Sequence, residues 1–259
     1  MPESMTLTEC RGWLPDGKRA AVCFSVDDVH PATSRDEFDA GGDLGRGALG
    51  HVERLLDRHP RLRVTLFVTP DWRLKRLVPT RKWLTRIPLL RERIHWAPLT
   101  PRGHFRVDRF PEFVAYLNAL PRTDCALHGL HHAHPGPRMA VMSGLRGASL
   151  IHPMWIECAA NDESTGATAV PCRLVHFTTN FQATSTLERA LTIIECGGLL
   201  AIKAHIFKTG GGITMLDGLD NAYCDYLERL WRELETRYGD ALWWTTLAEV
   251  ADRCRATAE

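Results

Sequence analysis

Residues 20 to 28 read Ala20-Ala21-Val22-Cys23-Phe24-Ser25-Val26-Asp27-Asp28. The run up to Val26 is apolar but for Ser25, bounded, and too short for a buried helix, so it predicts a strand covered on both faces. It ends on two adjacent carboxylates. Working outward, Val64, Leu66 and Val68 alternate within Arg63–Thr69 as strand residues do, and short apolar runs recur at 124–127, 173–177, 199–204 and 242–244. Helical patterns lie between them. Ala48, Leu49, Val52, Leu55 and Leu56 share one face. Ser185 with Glu188 predicts a capping box ahead of Leu187, Leu191 and Ile194, with Gly197-Gly198 as the stop. Leu219, Tyr223, Leu227, Leu230 and Leu234 mark a longer helix ended by Gly239, and Thr246 with Glu249 starts a last one. Strands alternating with helices predict a mainly parallel α/β fold. A closed or nearly closed barrel is preferred over an open sheet, because the polar residues gather at strand ends. Residues 71–110 and 135–172, with scattered Pro and Gly, read as long loops with short helices on the rim.

A chain of 259 residues suits one domain of this kind, here 1–259 with its core at about 20–255. The 44% hydrophobic and 24% charged content excludes a disordered, collagenous or coiled-coil chain. The formal charge of +1 supplies no overall attraction to nucleic acid. No window of about 18 apolar residues is long enough for a membrane span, and the start lacks a signal-peptide core. The eight cysteines are scattered and form no C-x-x-C pair, which predicts free thiols in the cytoplasm. The oligomeric state is not legible.

Three clusters carry candidate chemistry. Asp27 and Asp28 repel each other unless a cation or hydrogen bonds absorb the charge. His128-Gly129-Leu130-His131-His132-Ala133-His134 places four of twelve histidines in seven residues, directly after the strand at 124–127. His128 and His132 are one helical turn apart and can aim at one ion, with His131 and His134 offering competing pairs. Lys203-Ala204-His205 ends another buried strand. In a parallel barrel these ends converge on one face. Two histidines and one aspartate leave open positions on a zinc-like ion, and the second aspartate and His205 supply a base and an acid. Residues 73–93 hold eight Lys/Arg (Arg73, Lys75, Arg76, Arg81, Lys82, Arg86, Arg91, Arg93) against Glu92, a solvated face or an anion contact. Of Trp243-Trp244, one is expected in the core and the other is a candidate stacking platform for a sugar.

With these residues in place, the chain resembles the polysaccharide deacetylases. Phe24-Ser25-Val26-Asp27-Asp28 resembles their Asp-Asp motif, and Thr65-Leu66-Phe67-Val68-Thr69 their second strand. His128-x-x-x-His132 resembles their metal-binding pair, Ile202-Lys203-Ala204-His205 the strand bearing their catalytic acid, and Trp243–Glu249 their closing strand and helix. The order is kept over residues 20–250. The His-Gly-x-x-His form is similar to a divergent branch tied to surface-polysaccharide (O-antigen) synthesis. The resemblance implies a distorted (β/α) barrel of about seven strands and a metal-dependent hydrolase that removes an N-acetyl group from a sugar. Carried onto this sequence, Asp27 is the general base, His205 the general acid, and Asp28, His128 and His132 the ligands of one divalent ion, zinc above others. The substrate is an N-acetylated sugar, free, nucleotide-linked or lipid-linked. Two departures stand out: Val29-His30-Pro31 follows Asp28 where the family has Gly-Pro, and no Arg-x-Pro-Tyr-like segment follows the histidines. The family places there an arginine that orients its base; Arg138, Arg146 and Arg173 are the candidates. The rival readings are a non-catalytic sugar-binding protein on the same barrel and a metal-dependent hydrolase of another amide.

Overall fold

The computed structural model describes residues 6–36, 38–75, 99–130, 151–159, 171–210 and 213–257. Its centre is a five-stranded parallel sheet. In chain order the principal strands are β1 (Thr6–Glu9), β2 (Ala20–Val29), β3 (Val64–Val68), β4 (Thr123–Leu127), β5 (Met154–Ala159), β6 (Pro171–His176), β7 (Leu199–His205) and β8 (Leu242–Trp244). Among the described residues the α-helices are α1 (Leu49–Arg58), α2 (Pro111–Ala119), α3 (Leu187–Glu195), α4 (Asn221–Tyr238) and α5 (Leu247–Ala256).

Strand β2 organises the sheet. One edge pairs with β7 from Ala21 to Asp27, and the other pairs first with β8 (Ala20–Val22) and then with β3 (Phe24–Val29). β4 extends the sheet beyond β3. All ten residues of β2 are buried, the signature of a strand covered on both faces. The sheet curls into a half-barrel. The mixed α/β, mainly parallel architecture expected from the strand–helix alternation is therefore present.

The two faces of β2 meet different partners. Ala20, Val22, Phe24 and Val26, with Leu200, Ile202 and Ala204 of β7, join the main core under α1, α3 and α4. There Phe24 meets Trp231 edge-on at 5.2 Å, and Trp231 meets Trp244 at 6.5 Å. Ala21, Cys23, Leu199 and Ala201 face a second cluster with Cys10, Trp13, Trp155, Val250 and Cys254. That side is closed by α5 and by a three-stranded antiparallel sheet, β1-β5-β6. This sheet corrects the sequence reading: β5 lies in the stretch read as loop, and β6 joins the antiparallel sheet instead of the parallel one. The run at 173–177 announced β6 but not its partner, and β1 pairs with β5 across more than a hundred residues, which no local period announces.

The helix ends follow local rules. Thr246 and Glu249 form the expected capping box at α5. At α3 the cap is Thr186 and not Ser185, because the Ser185 hydroxyl accepts from the Gln182 N–H in the preceding turn. Gly239 ends α4 with φ of +49°. α2 begins with Pro111, a residue suited to the first helical turn. Trp244 lies in the main core, as expected for one of the pair, and Trp243 is partly buried against the second cluster. Cys10, Cys23, Cys125, Cys196, Cys224 and Cys254 are free thiols. Among the described residues no helix is long and apolar enough to cross a membrane.

Candidate active site

The site lies at the C-terminal ends of β2, β4 and β7. On the face that carries Ala21, Cys23, Leu199 and Ala201 at the other end, the side chains become Ser25, Asp27, Lys203 and His205. Register explains it: Ser25 lies opposite Lys203, and Asp27 opposite His205. Alternation along both strands then aims all four at the same side.

Asp28 should point the opposite way. A β-bulge turns it back. Val26 and Val29 both belong to the main core although they are three residues apart, which regular alternation forbids. The ladder to β3 shifts register between them, and Asp28 takes φ of +64°. A left-handed conformation in a residue with a Cβ costs about 1–2 kcal/mol, a strain typical of functional sites. The result is two adjacent, buried carboxylates on one side of the sheet, Asp27 and Asp28, 8% and 3% exposed.

Each carboxylate meets a nitrogen. Lys203 Nζ lies 2.9 Å from Asp27 Oδ2. His128 Nε2 lies 3.1 Å from Asp28 Oδ1, and His205 Nε2 lies 3.7 Å from Asp28 Oδ2. His128 is placed by the end of β4: its N–H donates to the Val68 carbonyl at 2.8 Å, and its ring meets Phe67 edge-on. His205 is held from both sides. Its N–H donates to the Asp217 carbonyl, its carbonyl accepts from Leu219, and its Nδ1 donates to Asp217 Oδ1 at 2.8 Å. That hydrogen bond leaves Nε2 toward Asp28.

The electrostatics follow from these contacts. Burial opposes a charged His128, but the hydrogen bond to Asp28 and the charges of Asp28 and Asp27 outweigh it, so its pKa is raised. Burial likewise opposes a charged Asp217, but the hydrogen bond from His205 outweighs it and holds this carboxyl below the usual range. Asp27, Asp28 and Asp217 are three carboxylates, and Lys203 is the lysine paired among them. With both imidazoles neutral, the charges of these described side chains sum to two negative charges. One divalent cation, or two imidazolium protons, balances them.

The structure therefore brings together Asp27, Asp28, His128 and His205. His132 lies outside the described residues, as do His131, His134, Arg138 and Arg146. Among the described residues no three His, Cys, Asp or Glu side chains are grouped so as to hold a metal ion. Asp28 and His128 are an oxygen and a nitrogen donor on rigid strand ends, a pair that suits zinc. Arg173 stacks over Trp155 at 4.0 Å, on the antiparallel sheet. Of the basic stretch 73–93 only Arg73 and Lys75 are described, and the Arg73 side chain donates to the Thr100 carbonyl. Sequence reasoning assigned no role to Lys203, although it sits beside His205, and missed Asp217. The first was legible as a cation two residues before a strand-end histidine; the second had no signal, since only the fold returns 217 to the end of β7. Compared with known proteins, the chain matches no family model, no curated protein and no solved structure, so the site stands on its own geometry.

Proposed function

We propose that the protein is a metal-dependent hydrolase that removes the N-acetyl group from a sugar or sugar-containing precursor of cell-surface polysaccharide, acting in the cytoplasm. The half-barrel is then part of a distorted barrel of about seven strands. One observation carries this reading: two adjacent carboxylates, turned to the same side by a bulge, face two imidazoles at the ends of β4 and β7. A strained, buried pair of acids needs a positive partner, and hydrolysis of an amide needs an acid and a base in one mouth.

Asp28, His128 and His132 would hold the ion, zinc above others. When bound there, a divalent ion would supply Lewis acidity and a water of lowered pKa. The chain's own residues do the rest. Asp27 accepts the proton of the attacking water as its oxygen bonds to the acetyl carbon. His205, protonated at Nε2 and held at Nδ1 by Asp217, donates that proton to the sugar nitrogen as the C–N bond breaks. Acetate and a free amine leave. An amine is a poor leaving group unless protonated, so an acid is required beside the base.

The rival is a sugar-binding protein without chemistry. The direct 3.1 Å contact of His128 with Asp28 favours it, because an imidazolium there neutralises Asp28 unaided. Metal content and acetate release separate the two. N-acetylated sugars should be offered free, as nucleoside diphosphates and polyprenyl-linked. The proposal expects one divalent ion per chain, acetate release from one of these forms, and loss of both with His128→Ala. Sugar binding without acetate release in zinc-loaded protein selects the rival.

A further inference from the structure

Lys203 has no counterpart among the roles assigned so far, and its placement is unusually constrained. Its N–H donates to the Phe181 carbonyl at 2.9 Å, and its carbonyl accepts from the Tyr223 hydroxyl at 2.7 Å. The backbone is thus pinned from the neighbouring segment and from α4. The side chain starts opposite Ser25 and must run along the sheet to reach the next residue on that face, Asp27. A four-carbon stem covers this diagonal, and the ammonium arrives at one oxygen, Oδ2, at 2.9 Å. Both groups are largely covered, with 29% of the lysine side chain and 11% of the aspartate side chain exposed. A flexible surface lysine would gain little by such a contact. Here the lysine backbone is held on both sides and the carboxylate is on a strand, so the pair has little freedom to lose.

The geometry points to Lys203 as the positioning residue of Asp27. The ammonium takes Oδ2 and thereby sets the rotation of the carboxylate, so that Oδ1 is the atom presented to the water. It also offsets the repulsion between Asp27 and Asp28 at the point where both must remain close to the reacting group. Lys203 touches neither substrate nor water in this assignment; it acts through Asp27. The inference rests on the deacetylase reading, because it needs Asp27 to be a base.

Orientation of a base has a kinetic signature that charge balance alone lacks. A misaligned base lowers kcat and leaves substrate affinity in place, and a displacement of the order of 1 Å costs about 100-fold. The loss should also be blind to the leaving group, since the water attacks amide and ester alike. His205 should behave oppositely, because only the amide needs its proton.

The test uses full-length, metal-loaded protein. Substrates are the N-acetyl sugar turned over fastest by wild type and p-nitrophenyl acetate. Lys203→Met is expected to lower kcat by about 100-fold on both, with KM and metal content unchanged. Lys203→Arg, which restores a cation, should recover most of the rate. In an Asp27→Asn background, Lys203→Met should cost nothing further, since no base remains to orient. If Lys203→Met does not fold, Lys203→Gln and Lys203→Arg are compared in its place, and the arginine must again exceed the neutral residue. The assignment is overturned if the neutral variant keeps kcat within about twofold, or if it slows Asp27 and Asp27→Asn proteins by the same factor. A wild type that releases no acetate from any sugar overturns the deacetylase reading and this assignment with it. An active wild type with an indifferent Lys203 overturns the assignment alone.

Discussion

The paired strands β2 and β7 have two ends with opposite chemistry. At the N-terminal end the face toward the antiparallel sheet carries Ala21, Cys23, Leu199 and Ala201, all buried among apolar neighbours. At the C-terminal end the same face carries Ser25, Asp27, Lys203 and His205, in the same ladder. The β2–β7 register is continuous from one end to the other. What differs is the supply of partners: apolar atoms at one end, and counter-charges from β4, β7 and the 213–219 segment at the other. A carboxylate is tolerated at the mouth because each one meets a nitrogen, and would not be tolerated one pleat lower.

The largest effect should come from breaking that asymmetry. Ala201→Asp would put an unpaired carboxylate among Trp13, Trp155 and Cys254. We expect a loss of about 4 kcal/mol or more, seen as insoluble protein or a collapsed denaturation midpoint. A midpoint near wild type would mean that the lower cluster admits water.

At the mouth the effects should fall on rate before stability. Asp27→Asn keeps the shape and removes the proton acceptor, so hydrolysis should fall about 100- to 10,000-fold with metal content intact. His205→Ala should slow the N-acetyl sugar by a comparable factor and p-nitrophenyl acetate far less, with the alkaline limb of the rate profile lost or moved. Equal slowing of both substrates would make His205 a structural residue.

Asp28→Gly sharpens the comparison from the other side. Glycine adopts φ of +64° without a Cβ clash, and the change removes one of two neighbouring acids. Thermal unfolding should show stability held or raised by about 1 kcal/mol, while metal binding and activity vanish. A clear loss of stability would show that the His128–Asp28 contact outweighs the strain.

The smallest effect concerns pH. Asp217 has a lowered pKa in the folded protein, so it binds its proton more weakly there than in the unfolded chain. Its contribution is present above the unfolded carboxylate value, about 3.9, and is lost as pH falls through the lower folded value. Asp217→Asn should lower the melting temperature modestly at neutral pH and flatten its decline in acid. An unchanged acid slope would show that the His205 contact is not maintained in solution.

Much of the scaffold was legible because its signals are local. The apolar run ending at Val26 marks β2, the alternation of Val64, Leu66 and Val68 marks β3, and Thr246 with Glu249 caps α5 through groups within one turn. The convergence of Asp27, Asp28, His128 and His205 also followed from the sequence, since parallel strands place all their C-terminal ends together. Three features were settled only by the tertiary structure. The bulge at Asp28 depends on Val26 and Val29 both seeking the same core, which no neighbouring residue dictates. The antiparallel sheet joins β1 to β5 across more than a hundred residues, so its pairing carries no local period. Asp217 reaches His205 because the chain after β7 folds back until Gly218 lies beside His205. A side chain's own type decides whether it can carry charge or fill a core. Whether that charge survives burial is decided by partners, and partners come from wherever the fold returns the chain.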